Sequence, residues 1–223
     1  MSPDGWLPPL VLLHDHQGDW ETYEAVLYGH FCDDFVARPP SFRGRRIGLK
    51  RYPMDRGKEA TFWHLISEGQ VEAERLPDMR RCERIRWPRP MIHDSETNDL
   101  KIWRQERKGE QRVAIALCDF TYVVILAERS GHNGIYHLPW TAFCVETPHQ
   151  RSKLEKEWSK FKLSRARKAD AAHGGRHRNS FHAWWMSYFH YNLKPFQRQP
   201  PERQKQLQFP RSCGTPSTPH KMW

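Results

Sequence analysis

From residue 99 onward, four runs carry apolar positions at strand spacing: DLKIWRQER, EQRVAIALCDF, YVVILAERS and GIYHLPWTAFCVE. The breaks between them are KG, a short Asp119-Phe120-Thr121 interval and SGHNG, all of hairpin length, so the runs read as an antiparallel meander. In the middle of it Val113, Ile115 and Leu117, and then Val123, Val124, Ile125 and Leu126, leave few polar positions. Strands of that kind need cover on both faces, or heavy cover on one. Helices are available to supply it. In Asp19 to Val36 the residues Trp20, Tyr23, Val26, Leu27, Phe31 and Phe35 fall three and four apart behind Asp19, a suitable N-cap. His149 to Leu163 is a charged helix with Leu154, Trp158 and Phe161 as its apolar stripe.

The stretch between these helices is less regular. FRGRRIGLKRYP, Phe42 to Pro53, follows Pro39-Pro40 and reads as a basic extended segment that ends at the turn MDRGK. ATFWHLISEGQ is an apolar run whose length suits either a strand or a short helix; it is read as a helical turn closed by Gly69. VEAERLPDMRRC, interrupted by Pro77, reads as loop and helix fragment. In ERIRWPRPMI, Ile85 and Trp87 alternate with Arg84 and Arg86, and Trp87 and Arg89 each precede a proline, so an edge strand is expected. The expected fold class is α+β, with helices packed on a four- to five-stranded antiparallel meander sheet, followed by a poorly ordered C-terminal tail. Residues 1–40 form an N-terminal helical segment, 41–163 the α+β domain and 164–223 the tail.

Charge sharpens that division. The chain of 223 residues has a formal net charge of +10 and a pI near 9.6, which taken whole points to a nucleic-acid or other anionic partner. Residues 1–163 hold 25 Lys and Arg against 24 Asp and Glu, so +9 of the excess lies in the remaining 60 residues, with 11 basic and 2 acidic. That tail has no Val or Ile and only Leu193 and Leu207, too little aliphatic surface to pack a core. Phe181 to Leu193, FHAWWMSYFHYNL, is its one aromatic segment fit for docking. Five cysteines without a CxxC pair favour thiols in a reducing compartment. The apolar run Leu10 to Leu13 is too short for a signal peptide or membrane span, so a cytoplasmic protein with no membrane partner is expected.

Candidate chemistry centres on His64, embedded in the apolar TFWHL. Near it in sequence lie the basic residues Arg46 and Arg51, then Arg81, Arg84 and Arg86, while Thr141 follows Trp140 in the last run. No phosphate-binding P-loop or serine-nucleophile elbow occurs, and His14-Asp15-His16 lacks a partner cluster for metal, so no cofactor or metal is expected. Histidine, arginine and threonine together suffice to cleave RNA, whose 2′-OH is its own nucleophile. The protein then supplies proton transfer, cations for the phosphoryl oxygens and a hydroxyl to orient the phosphate. Arg46, Arg51, Arg81, Arg86 and Lys101 are candidate phosphate contacts, and Trp140 a candidate stacking platform.

A histidine in TFWHL, a basic run RCERIRW, an antiparallel meander and a final strand carrying threonine resemble the barnase–EndoU–colicin E5/D–RelE nuclease superfamily, in its phage- and toxin-associated branches. The resemblance is one of layout and covers roughly Phe42 to Glu146; the two-histidine pattern of the EndoU branch is not evident, and the long tail lies outside it. It implies metal-independent, toxin-like RNA cleavage to a 2′,3′-cyclic phosphate, with RNA and a possible cognate inhibitor protein as partners. Carried over by position, His64 is the acid or base, Arg84 the phosphate contact leading into the first sheet strand, and Thr141 the hydroxyl of the last strand. Two alternatives from other classes are a non-catalytic RNA- or ribosome-binding module, and a protein-interaction module of a mobile element using Trp184-Trp185 to Tyr191.

Overall fold

The four alternating runs form one antiparallel sheet in a computed structural model, which describes residues 5–172 except 70, 72, 73, 108 and 133. Its strands are β5 (Leu100–Arg107), β6 (Glu110–Leu117), β7 (Tyr122–Gly131) and β8 (Gly134–Cys144), hydrogen-bonded in that order. Two pairs of two-residue strands come earlier: β1 (Ser41–Phe42) with β2 (Arg45–Arg46), and β3 (Ser67–Glu68) with β4 (Leu76–Pro77). The helices are α1 (Trp20–Phe31), α2 (Ala60–Ile66), α3 (Met79–Glu83), α4 (Pro88–His93) and α5 (Pro148–Ala172). The fold class is α+β. The docking segment expected at 181–193, and the tail beyond Ala172, lie outside the described residues.

The unbroken apolar stretch of β7 has the physical cause that the pattern implied. Val124 and Leu126 enter a core shared with Tyr23, Leu27 and Phe31 of α1 and with Phe62 and Leu65 of α2. Val123 and Ile125 point the other way, into a second core with Trp103 and Ala114, closed by Leu154, Trp158 and Phe161 of α5. One strand therefore separates two apolar layers. Register places Trp103, Ala114, Ile125 and Thr141 in one row across all four strands, on the α5 face.

The Asp19 side chain accepts from the Thr22 amide at 2.8 Å, and Tyr23, Leu27 and Phe31 recur every fourth residue along the buried side of α1. The stripe reaches Phe35 through a π-helical turn, Cys32–Ala37. Glu24, only 6 % exposed, holds Lys58 at 2.9 Å and Arg56 at 2.8 Å, so its buried charge is paired while it anchors the Asp55–Lys58 turn to α1. Tyr23 donates to the Val11 carbonyl at 2.7 Å and Trp87 Nε1 to that of Pro8 at 2.9 Å, which stitches the N-terminal stretch to the same core.

Every residue of α2 is buried, so a histidine in its last turn has apolar neighbours whatever its purpose. The helix passes into β3 at Ser67, before Gly69. The edge strand expected from Glu83 is instead two short helices. Asp78 caps α3 by accepting from the Arg80 amide at 2.9 Å, and Pro88 starts α4, where the missing N–H costs nothing. Ile85 and Trp87 are buried, and their alternation came from a turn between helices. Arg84 accordingly leads into α4 and not into a strand. At the other end α5 continues past Leu163 to Ala172, inside the span expected to be tail.

His137, at 1 % exposure, is the most secluded ionisable group on β8. Its backbone carbonyl accepts from Gly48 N–H at 2.8 Å, an approach that only glycine permits easily, since a Cβ there would stand 3.2 Å from Tyr136 and Leu138. Burial lowers the imidazole pKa below its ordinary 6.5, against a smaller opposing effect of Glu128. A histidine whose folded pKa is depressed is protonated first in the unfolded chain, so its contribution to stability is lost as pH falls from the unfolded value towards the folded one. His137→Phe should therefore flatten the fall of stability below about pH 6.5. Urea midpoints of wild type and variant between pH 7.5 and 5 measure it; parallel curves would contradict the assignment.

Candidate functional site on the last strand

Strand β8 is irregular where its candidate chemistry lies. Ile125 pairs with Thr141 and Leu126 with Pro139, so Trp140 is an extra residue without a partner on β7. Such a bulge bends the strand and re-aims side chains, and Pro139, which has no N–H to contribute, is tolerated there on an edge strand. The sequence Pro139-Trp140-Thr141 thus encodes a local kink in an otherwise regular ladder.

Three segments meet at this kink. His64, 7 % exposed, presents its ring edge to face with that of Trp140, centroids 5.8 Å apart. Arg81 of α3 donates through Nη1 to Thr141 Oγ1 at 3.1 Å and to the Ser67 carbonyl at 2.9 Å, while its Nε reaches Asp78 at 3.0 Å. A single guanidinium therefore ties α3, the end of α2 and β8 together. The Trp140 ring also lies 4.6 Å from the Arg112 guanidinium carbon and 5.9 Å from that of Arg129. Both arginines hold Glu110, and the hydrogen bond from Arg112 is the main cause of its lowered carboxylate pKa.

On the α5 face, Trp140, Thr141 and Phe143 line a cleft of about 540 Å³. The sheet contributes Arg107 and Arg112 to it and α5 contributes Lys153 and Glu157. Arg107 hydrogen-bonds one oxygen of the Glu157 carboxylate, while the other oxygen, and Arg112 Nε, are buried without a hydrogen-bond partner among the described residues. The cleft combines cations, a hydroxyl, an aromatic platform and one carboxylate, a set suited to an anionic chain with exposed bases.

Of the residues singled out from sequence, His64 meets Trp140 and Arg81 meets Thr141, and of these four Trp140 and Thr141 line the cleft. The others do not join them. Arg84 bonds the Arg80 carbonyl and the Glu83 carboxylate, both at 3.0 Å, and lies over Trp87. Arg86 acts electrostatically on His30 and Asp34, on the α1 side. Lys101 is on β5 at the opposite sheet edge, bonded to the Cys118 carbonyl; three strand spacings put it roughly 14 Å away from β8. Arg46 lines a separate groove beside the start of β8, and Arg51 is exposed ahead of α2, its carbonyl accepting from Ala60 N–H. The residues missed were Arg107, Arg112, Lys153 and Glu157. Gln150, Lys153, Leu154 and Glu157 follow the i, i+3, i+4, i+7 spacing of one helix face, a signal that reads equally as solvated surface.

Comparison with models of protein families, with curated proteins and with solved structures gave no match.

Because Arg81 Nη1 serves both Thr141 and Ser67, the hydroxyl and the guanidinium should be energetically coupled. Thr141→Val is expected to cost about 1 kcal/mol and Arg81→Ala about 3 kcal/mol, since the latter also strips Asp78 and the Ser67 carbonyl of a partner. A double-mutant cycle in urea should give a coupling of at least about 0.5 kcal/mol; strict additivity would mean that the contact contributes nothing.

Proposed function

We propose that the protein is a metal-independent endoribonuclease, related to the barnase–EndoU–colicin E5/D–RelE superfamily, that cleaves RNA at the β8 kink. What supports this reading above all is convergence on the β8 kink: a histidine from α2 packs against Trp140, and an arginine from α3 donates to the neighbouring Thr141. In the proposed reaction the RNA strand lies in the α5 cleft with a base against Trp140 and its phosphates near Arg107, Arg112 and Lys153. The 2′-oxygen attacks phosphorus as its proton passes to a base, the bond to the 5′-oxygen breaks, and that oxygen takes a proton. His64 moves the proton, Thr141 orients the phosphate, and Arg81 fixes Thr141. The products are a 2′,3′-cyclic phosphate and a 5′-hydroxyl end. A toxin-like role in the cytoplasm, restrained by an inhibitor protein, belongs to the same proposal.

One observation favours a second reading. His64 is 7 % exposed, as a core residue would be, and a non-catalytic RNA-binding module would use the cleft without it.

The full-length protein incubated with total RNA in EDTA separates the two. Cleavage should leave cyclic phosphate ends, and His64→Ala, with its fold checked by circular dichroism, should slow it by about 10²–10⁴. Intact RNA that still binds the protein would favour the module, and intact RNA without binding would sink both readings.

A further inference from the structure

A second cavity, of about 490 Å³, opens between the β1–β2 hairpin, strand β5 and the C-terminal half of α5. It shares no lining residue with the cleft at Thr141. Four arginines from three directions line it: Arg43 and Arg45 from the hairpin, Arg104 from β5 and Arg165 from α5. Their charge is poorly balanced. Arg104 has Glu128 at 3.5 Å and Arg43 has Glu96 at 3.9 Å, whereas Arg45 and Arg165 have no carboxylate within ion-pair distance among the described residues. Like charges gathered round one concavity repel, and a bound anion would relieve them.

Two further lining residues carry unmet hydrogen-bonding groups. Trp103 and His137 are each 1 % exposed, and Trp103 Nε1 and both ring nitrogens of His137 lack a hydrogen-bond partner among the described residues, the Glu128 carboxylate standing 3.7 Å from His137 Nε2. Buried polar atoms of native proteins nearly always have one. An indole N–H and one neutral imidazole N–H are donors, as are the guanidinium groups, and the second imidazole nitrogen is the one acceptor among them, so the set is donor-rich and suits an acceptor-rich anion. Several guanidinium groups converging from different elements suit the three oxygens of a terminal phosphoryl group better than the two of a carboxylate. The half-buried ring of Phe161 in the same wall gives an aromatic surface for a base, and the volume lies in the range of small-ligand sites.

We propose that this cavity binds a nucleotide through its 5′-phosphoryl group, either a free mononucleotide or the phosphorylated 5′ end of an RNA strand. The site is separate from the cleavage centre and stands or falls independently of it.

The test uses full-length protein labelled with ¹⁵N at tryptophan, the Trp103 indole signal being identified by its loss in Trp103→Phe. Adenosine 5′-monophosphate, adenosine, inorganic phosphate and a 2′-O-methyl RNA pentamer with or without a 5′-phosphate are titrated in turn; the methylated strand cannot be cleaved through its 2′ position. A phosphorylated ligand should shift the Trp103 signal saturably and adenosine should not. The exposed-site double variant Arg45→Glu, Arg165→Glu should keep its spectrum and its RNA cleavage while binding at least about tenfold more weakly. Tighter binding of the phosphorylated pentamer than of the mononucleotide assigns the site to a strand end, and the reverse to a free nucleotide. Failure of both to shift Trp103, equal binding of adenosine or of inorganic phosphate, or unchanged affinity in the double variant would overturn the proposal. Cleavage activity is read separately, so its absence leaves this result intact.

Discussion

The constraint on which the structure depends is that β6 and β7 must be dry on both faces. Val124 and Leu126 cannot be buried by the layer that buries Val123 and Ile125, so a sheet of this sequence requires two covers of different origin. One cover is assembled from α1, α2 and the region around α4, the other from α5 alone. The asymmetry has a functional consequence. A many-helix cover leaves little space, whereas one helix laid over four strands leaves part of the α5 face open, and the cleft beside Thr141 occupies that part.

The first cover also has to fasten the outer edge of β8, which would otherwise present unpaired backbone groups. Gly48 does this at His137, α2 packs against the strand, and Arg81 adds the bond to Thr141. The same contacts that protect the edge bring His64 and Arg81 to the kink. Site and scaffold are therefore not separable here: the donors of Arg81 are taken up by Asp78, Ser67 and Thr141, which makes it a positioning group, while Arg107, Arg112 and Lys153 line the cleft itself.

Much of this was legible in the residues. The meander, its hairpin breaks, the Asp19 cap and the apolar stripe of α5 all follow from local spacing, and each has its counterpart in the structure. The misread stretch from Glu83 shows the limit. Two prolines and an alternating Arg-Ile-Arg-Trp suit an edge strand, but they also suit a turn between two one-turn helices, and only burial of Ile85 and Trp87 against distant residues decides between them. The choice among arginines stays open in the sequence for the same reason. Arg81, Arg84 and Arg86 are indistinguishable by local pattern, and what separates them is a bond from Arg81 to a residue sixty positions away.

The arrangement of α5 carries a thermodynamic consequence of its own. This helix is held to the sheet by Leu154, Trp158 and Phe161 and by the Arg107–Glu157 pair, and most of its outer side is solvated. Such a layer can lift while the opposite core stays closed, at a free-energy cost below that of global unfolding. Amide hydrogens of α5 would then exchange sooner than those of β6 and β7, and the roof of the cleft would have an opening equilibrium separate from that of the scaffold beneath it.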